Sequence, residues 1–419
     1  MKPCDAWQRQ QRDHLFFTWS RQAGQRGFEI ADAEGARFRV PDKGWIWDLE
    51  SQVYNVGVGH KHPHVRQRMI EQIERLPACA PNVLLPIRAE LAQKLAQHTG
   101  LQRSFLTTGG SEAVENAIKI ARLVTRRRKV VTRRRSYHGA TLAVLAISGD
   151  ARGEPFARAE DPRCTFDDPY PVREATGNRP SDWLENLQRR IEIEGPETIA
   201  AILLEGFTGT NGMQIPPIDF WRGARELCDL HGILLIDDEI FSGFGRTGTW
   251  FAREHWDVRA DMMVVGKAIT SGCAPLAGVV VSQSIAEHFD DETLWCGLTH
   301  YAHPVSCAAA MGSIEVLERD DLVQNSRTVG DHLRERLGEL QRDPLVGPHI
   351  TDVRGLGLMI TLEFDRNSRA LAEILWHRNV YAPTRGRCLY ICPPLCLSQT
   401  EADTIADLIA DASHEFIRS

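Results

Sequence analysis

Asp261-Met262-Met263-Val264-Val265-Gly266-Lys267 is the stretch whose reading decides this fold. Four apolar residues end on a glycine and then a lysine, the pattern of a buried strand emptying into a loop. The lysine is unusual here. The chain has seven lysines (Lys2, Lys43, Lys61, Lys94, Lys119, Lys129, Lys267) against 42 arginines, and none but Lys267 follows residue 129. Arginine keeps its charge, whereas a buried lysine can shed its proton and attack a carbonyl as a neutral amine. Chance survival in an arginine-rich chain is the plain alternative, and only the surrounding sequence can decide.

Outward from that strand, short apolar runs alternate with amphipathic stretches between about residues 100 and 310. Strands are expected at 130–132, 199–204, 233–236, 262–265 and 278–281, and helices at 111–123, 181–193 and 219–230, the last closed by His231-Gly232. Continuous apolarity within the strands implies burial on both faces, hence a mostly parallel sheet flanked by helices. After Pro304 the pattern predicts one long helix over 315–340, a strand region over 351–364, a helix over 368–377 and a closing helix from Glu401. The expected organisation is an aromatic-rich N-terminal segment (1–54) packing on the C-terminal part, a large α/β domain (55–310) and a small α+β domain (311–419).

Composition excludes several classes. Charged residues make up 25%, hydrophobic ones 42%, and a net charge of -7 gives no pull toward nucleic acid or an anionic membrane. The basic runs 126–129 and 133–135 read as solvated ends of a short strand. There is no secretory h-region at the N-terminus and no long apolar span, so a cytoplasmic enzyme is expected. Ten cysteines without a CxxC pair read as small buried hydrophobes, with no metal site.

Three further segments carry chemistry. Thr107-Thr108-Gly109-Gly110-Ser111-Glu112 is a small-residue turn opening a helix, suited to an anion through free helix N–H groups and the Ser111 hydroxyl. Tyr137-His138-Gly139 sets an aromatic ring at a strand end, where it can cover a planar ligand or simply pack in a loop. Asp237-Asp238-Glu239 leaves the carboxyl end of a buried strand, where open α/β sheets place ligands, although helix capping is the default for such residues. Gly243 to Gly248 spells GxGxxG, but five residues separate it from the strand, which disfavours a nicotinamide oxidoreductase. Anion cradle, aromatic cover, carboxylate and solitary lysine together describe pyridoxal 5'-phosphate (PLP), whose aldehyde needs a lysine and whose ring nitrogen needs an acid.

At this point the sequence resembles the class III (ω-) aminotransferases of PLP fold type I. The resemblance runs from Gly59-His60-Lys61-His62-Pro63 through the cradle, Tyr137-His138-Gly139, Glu205, Gly209, Gly212, Pro216-Pro217, Asp238-Glu239-Ile240 and Gly243 to Gly248. It continues through Gly266-Lys267, Gly297-Leu298-Thr299, Arg354-Gly355 and Pro393-Pro394-Leu395. It implies a seven-stranded, mostly parallel sheet with a smaller α+β domain. Lys267 would be the Schiff-base lysine and proton carrier, Asp238 the partner of the ring nitrogen, and Tyr137 and Ile240 the covers of its two faces. Gly110 and Ser111 would bind the phosphate, joined by Thr299 of a neighbouring subunit, while His138 and Glu205 would line the site. A homodimer with shared active sites is implied.

Departures concern the substrate. Where relatives acting on γ-aminobutyrate or ornithine carry an arginine after the aromatic-His-Gly segment, this chain has Ala140, and Phe241 replaces a common glutamine. The usual Asn-Ser of the cradle is Thr108-Gly109, and a carboxylate-binding arginine is replaced by Pro383, leaving Arg385 and Arg387 as candidates. Trp19 and Tyr54 fall where the family builds an aromatic substrate pocket, and the N-terminal segment is similar to members acting on taurine or other short ω-amino acids. The expected reaction is therefore transfer from such an amine to pyruvate or 2-oxoglutarate. Class III folds also host racemases, epimerases and decarboxylating enzymes, which share these motifs.

Overall fold

The computed structural model describes residues 6–24, 27–156, 163–167, 182–209 and 211–419. Its central sheet has seven strands: β1 (Arg103–Thr107), β2 (Lys129–Arg133), β3 (Thr165–Phe166), β4 (Ile199–Glu205), β5 (Leu234–Asp238), β6 (Met262–Val265) and β7 (Ala277–Val281). Their spatial order is β1-β7-β6-β5-β4-β2-β3. Every pair from β6 to β3 is parallel, and β7 runs antiparallel to both β6 and β1. That reversal follows from chain length. The link from Gly266 to Leu276 is too short for a crossover helix, so β7 must turn back beside β6. This link carries Lys267.

All of β4, β6 and β7 is buried, as the unbroken apolarity of those segments requires. Helices Gly110–Thr125, Asp182–Glu194 and Phe220–His231 flank the sheet; the expected start of the second, Ser181, lies outside the described residues. Gly232 ends the third with φ +59, its neighbour Ile233 donating back to the Cys228 carbonyl.

Two smaller sheets complete the fold. Asp32–Glu34, Arg37–Val40 and Gly44–Asp48 form a meander, and Val380–Tyr381 adds to it in parallel, which ties the N-terminal segment to the C-terminal part. Ile350–Leu356, Met359–Phe364, Cys388–Ile391 and Thr384–Arg385 form an antiparallel sheet, with helix Leu322–Glu339 packed on its first two strands and helix Gln399–Arg418 packed on that helix.

Three expectations are corrected. The long helix over 315–340 is two helices, Pro304–Arg319 and Leu322–Glu339, separated where Asp321 takes the left-handed conformation (φ +49). Aspartate tolerates that region, and apolar periodicity does not register it. The closing helix starts at Gln399, two residues before Glu401, because Ser398 and Glu401 form a capping box. The basic runs are not simply solvated: Arg127 donates to the carbonyls of Pro196, Ile199, His231 and Gly232, and Arg133 is fully buried.

Candidate active site

The carboxyl ends of β4, β5 and β6 open on a cavity of about 470 Å³. Asp238 is the last residue of β5 and is buried. Its Oδ2 lies 2.7 Å from His138 Nδ1, and its Oδ1 accepts the Ile240 N–H at 3.1 Å. The histidine is itself buried, so its ring braces the carboxylate from the side of the Tyr137 loop. Lys267 follows β6 with φ +44, a left-handed conformation that costs a non-glycine residue strain. Its ammonium position is 4.8 Å from the Phe241 ring centre and 5.8 Å from that of Tyr54. Some of the lysine is reached by solvent through the cavity, but protein atoms crowd its amine. Burial pushes its pKa down from 10.5 to about 8, against the opposing pull of Asp238 and Glu205 and with help from Arg152 and Arg246.

Tyr54 reaches this floor from a strained turn. Ser51, Gln52, Val53 and Tyr54 all have φ between +49 and +64, unusual for a β-branched valine in particular. The Tyr54 ring then packs 4.4 Å from Phe241.

The cradle lies at the start of helix Gly110–Thr125, where first-turn amides face the cavity. Ser111 Oγ accepts the Ala140 N–H at 2.8 Å, so its own proton remains available to an anion. Thr108 is committed elsewhere: its N–H and hydroxyl both go to Glu112 Oε2. Backbones approach closely at two glycines. A Cβ on Gly139 (φ +148) would stand 2.5 Å from Ser111 Oγ, and one on Gly110 would stand 2.9 Å from Ile240 Cδ1.

Gly110, Ser111, Tyr137, His138, Glu205, Asp238, Ile240 and Lys267 thus line one cavity. Glu205 works through the backbone, accepting the N–H groups of Tyr137 (2.9 Å) and Gly209 (3.0 Å). Trp19 stands edge-on to Tyr137 at 6.4 Å, at the mouth. Arg385 Nη2 is 3.5 Å from Asp150 Oδ2. Trp19, Tyr54, Arg385, Arg387 and Thr299 do not line this cavity: Trp19 and Tyr54 stand behind its wall residues Tyr137 and Phe241, and Arg385, Arg387 and Thr299 are exposed. Gly243 to Gly248 does not open a helix: Gly248 packs on Arg327 and Gly245 on Val323, both of helix Leu322–Glu339, so the dinucleotide reading fails.

Sequence reasoning missed Arg152. Its guanidinium lies 3.7 Å from the centre of the Tyr137 ring and 5.0 Å from that of Trp19. Asp150 holds it through Nε (2.8 Å) and Nη2 (3.0 Å). No periodicity marks the segment after Ile147, and the only hint was another arginine among many.

The chain matches the family described as Aminotransferase class-III over residues 18–412. It is 30% identical over 407 residues to the acetylornithine aminotransferase of Archaeoglobus fulgidus, covering 96% of this chain and 99% of that protein. It is 28% identical to an omega-aminotransferase of Caulobacter vibrioides, covering 94% of this chain and 95% of that protein. Among solved structures, the taurine:2-oxoglutarate aminotransferase of Bifidobacterium kashiwanohense, in complex with PLP and glutamate, superposes with a TM-score of 0.91. That match has 29% identity and covers 98% of this chain and 97% of that one.

Proposed function

The chain belongs to the class III aminotransferases, and on that premise we propose a PLP-dependent transaminase for short ω-amino acids with a distal anion. The donor is of the taurine or β-alanine type, and the acceptor is pyruvate or 2-oxoglutarate. The residues fit the cofactor: a helix N-terminus and a free hydroxyl proton for a phosphate, close-approach glycines, a braced carboxylate and a desolvated lysine share one cavity. Gly110 and Ser111 would hold the phosphate, Tyr137 and Ile240 the ring faces, Asp238 the ring nitrogen and Lys267 the aldehyde carbon. Bound PLP supplies an aldehyde that captures amines and a ring that stores an electron pair. Lys267, with a pKa pushed down to about 8, would supply the neutral amine that carries a proton from the substrate carbon bearing the nitrogen to the cofactor carbon it had held. His138 keeps Asp238 oriented throughout.

The observation that carries the substrate reading is the Arg152 stack on Tyr137 and Trp19. Arg152 is held by Asp150 and sets its guanidinium against Tyr137, where it would meet a donor's sulfonate or carboxylate, and Arg385 approaches the same Asp150 carboxylate at 3.5 Å. Ala140 leaves the position beyond Gly139 without a cation, which argues against γ-aminobutyrate and ornithine. A panel of taurine, β-alanine, γ-aminobutyrate, ornithine and propylamine against both keto acids tests this. Taurine or β-alanine should lead, and γ-aminobutyrate or ornithine with 2-oxoglutarate as the best pair would refute it. The same assay separates transfer from racemisation or decarboxylation, because only transfer consumes keto acid in step with the donor.

Exposed Thr299 suits delivery to a second copy's phosphate site, and we propose a homodimer with shared active sites. Among the described residues no helix is long and apolar enough to cross a membrane, which accords with a cytoplasmic enzyme. The division into 1–54, 55–310 and 311–419 is proposed on the three sheets, with the first segment joined to the last through Val380–Tyr381.

A further inference from the structure

One fully buried arginine near the site has no role in the chemistry above. Arg133, the last residue of β2, is 0% exposed, and its Nη2 lies 3.2 Å from Glu205 Oε2. Glu205 ends the neighbouring strand β4 and is also buried. A single carboxylate therefore meets three groups at the sheet's carboxyl edge: it accepts the Tyr137 N–H on Oε1 and the Gly209 N–H on Oε2, and the Arg133 guanidinium lies within ion-pair distance of Oε2 without hydrogen-bond geometry. Arg133 also anchors the same loop through its carbonyl, which accepts Ser136 Oγ at 2.8 Å. Arg133 and Tyr137, both in contact with Glu205, thus lie at the two ends of the turn that aims the ring.

We infer that Arg133 is a positioning residue, the built-in counter-charge that keeps both Glu205 oxygens as acceptors and so fixes the Tyr137 ring over the cofactor site. The chemistry of the carboxyl group makes the case. A carboxylate accepts at two oxygens, whereas a carboxyl carries a proton on one and would oppose an incoming N–H there. Without a cation, a buried carboxylate is costly, and either the charge or one of the two backbone contacts must be given up. Losing the Tyr137 contact frees the loop that carries the ring. The inference rests on the PLP reading of the cavity, because the ring's position matters only if a planar ligand lies against it.

The test uses the full-length protein as Arg133→Met, Arg133→Lys and the double variant Arg133→Met/Glu205→Met. Three quantities are read: PLP affinity by titration of PLP-free protein, the visible circular dichroism of the bound cofactor, and thermal unfolding of the PLP-free form. Arg133→Met should weaken PLP about tenfold or more and cut the visible dichroism, while Arg133→Lys restores most of both. If Arg133→Met does not fold, the double variant decides, since removing both charges relieves the unpaired carboxylate. It should melt above the single variant yet keep the weak PLP binding and low dichroism, because Tyr137 and Gly209 still lack their acceptor. Recovery of dichroism and affinity together with stability in the double variant overturns the inference. Failure of wild-type protein to bind PLP at all would instead overturn the cofactor reading, and the inference with it.

Discussion

The floor of the cavity and its mouth are built in opposite ways. On the floor, Asp238 and Lys267 are delivered by adjacent parallel strands, which are buried apart from Leu234 at the start of β5. At the mouth, Trp19 comes from the N-terminal segment, Arg152 from the short 3-10 helix Ala151–Phe156, and Arg385 from a two-residue edge strand. Strands hold the floor to one geometry, whereas the mouth depends on contacts between segments far apart in the chain. Chemistry common to a family belongs on the first kind of support and substrate choice on the second.

The largest effect expected is on the floor. Lys267→Ala should lower turnover by about a thousandfold or more while the PLP-free protein keeps its melting temperature or gains on it, since no arginine nearby can replace a neutral amine. Residual turnover near the wild-type level would remove the floor's claim to the chemistry.

At the mouth the effect should be smaller and selective. Arg152→Leu should raise KM for taurine or β-alanine by about ten- to a hundredfold and leave propylamine nearly unchanged, because only an anionic donor loses a charge-assisted partner. Arg385→Leu should act more weakly, by about a few-fold, as its guanidinium is half exposed and meets Asp150 at 3.5 Å. Equal losses for charged and neutral donors would reduce the mouth to a structural support.

The smallest effect concerns stability and pH. In the PLP-free protein Lys267 has a pKa of about 8, below its ordinary 10.5. Between those values the unfolded chain binds more protons, so this group makes stability rise with pH across that window, and its cost is full below about pH 8. Lys267→Met should therefore melt above wild type at pH 7, with the difference closing as pH approaches 10. A difference that stays constant across that range would contradict the depressed value.

What was legible in the sequence follows the same division. Val264-Val265-Gly266-Lys267 and Ile236-Asp237-Asp238 announce themselves because strand, turn and reactive residue are consecutive. Arg152 was illegible because its meaning lies in rings at positions 19 and 137, which no local pattern connects to it. Arg133 was misread for a related reason: a run of three arginines suggests solvent, and only the buried carboxylate of Glu205 on the next strand explains why one of them turns inward. The break at Asp321 went unseen because a single left-handed residue leaves the apolar period on either side intact.

The central claim is that a fixed catalytic floor is topped by a mouth that selects for a distal anion. Its most direct test is kcat/KM for β-alanine and taurine relative to propylamine, in wild type and in Arg152→Leu, with the preferred keto acid. Wild type should favour the anionic donors strongly, and the variant should lose that preference by lowering their kcat/KM alone. A wild type that uses propylamine as well as β-alanine and taurine, or a variant that keeps the preference, would contradict it.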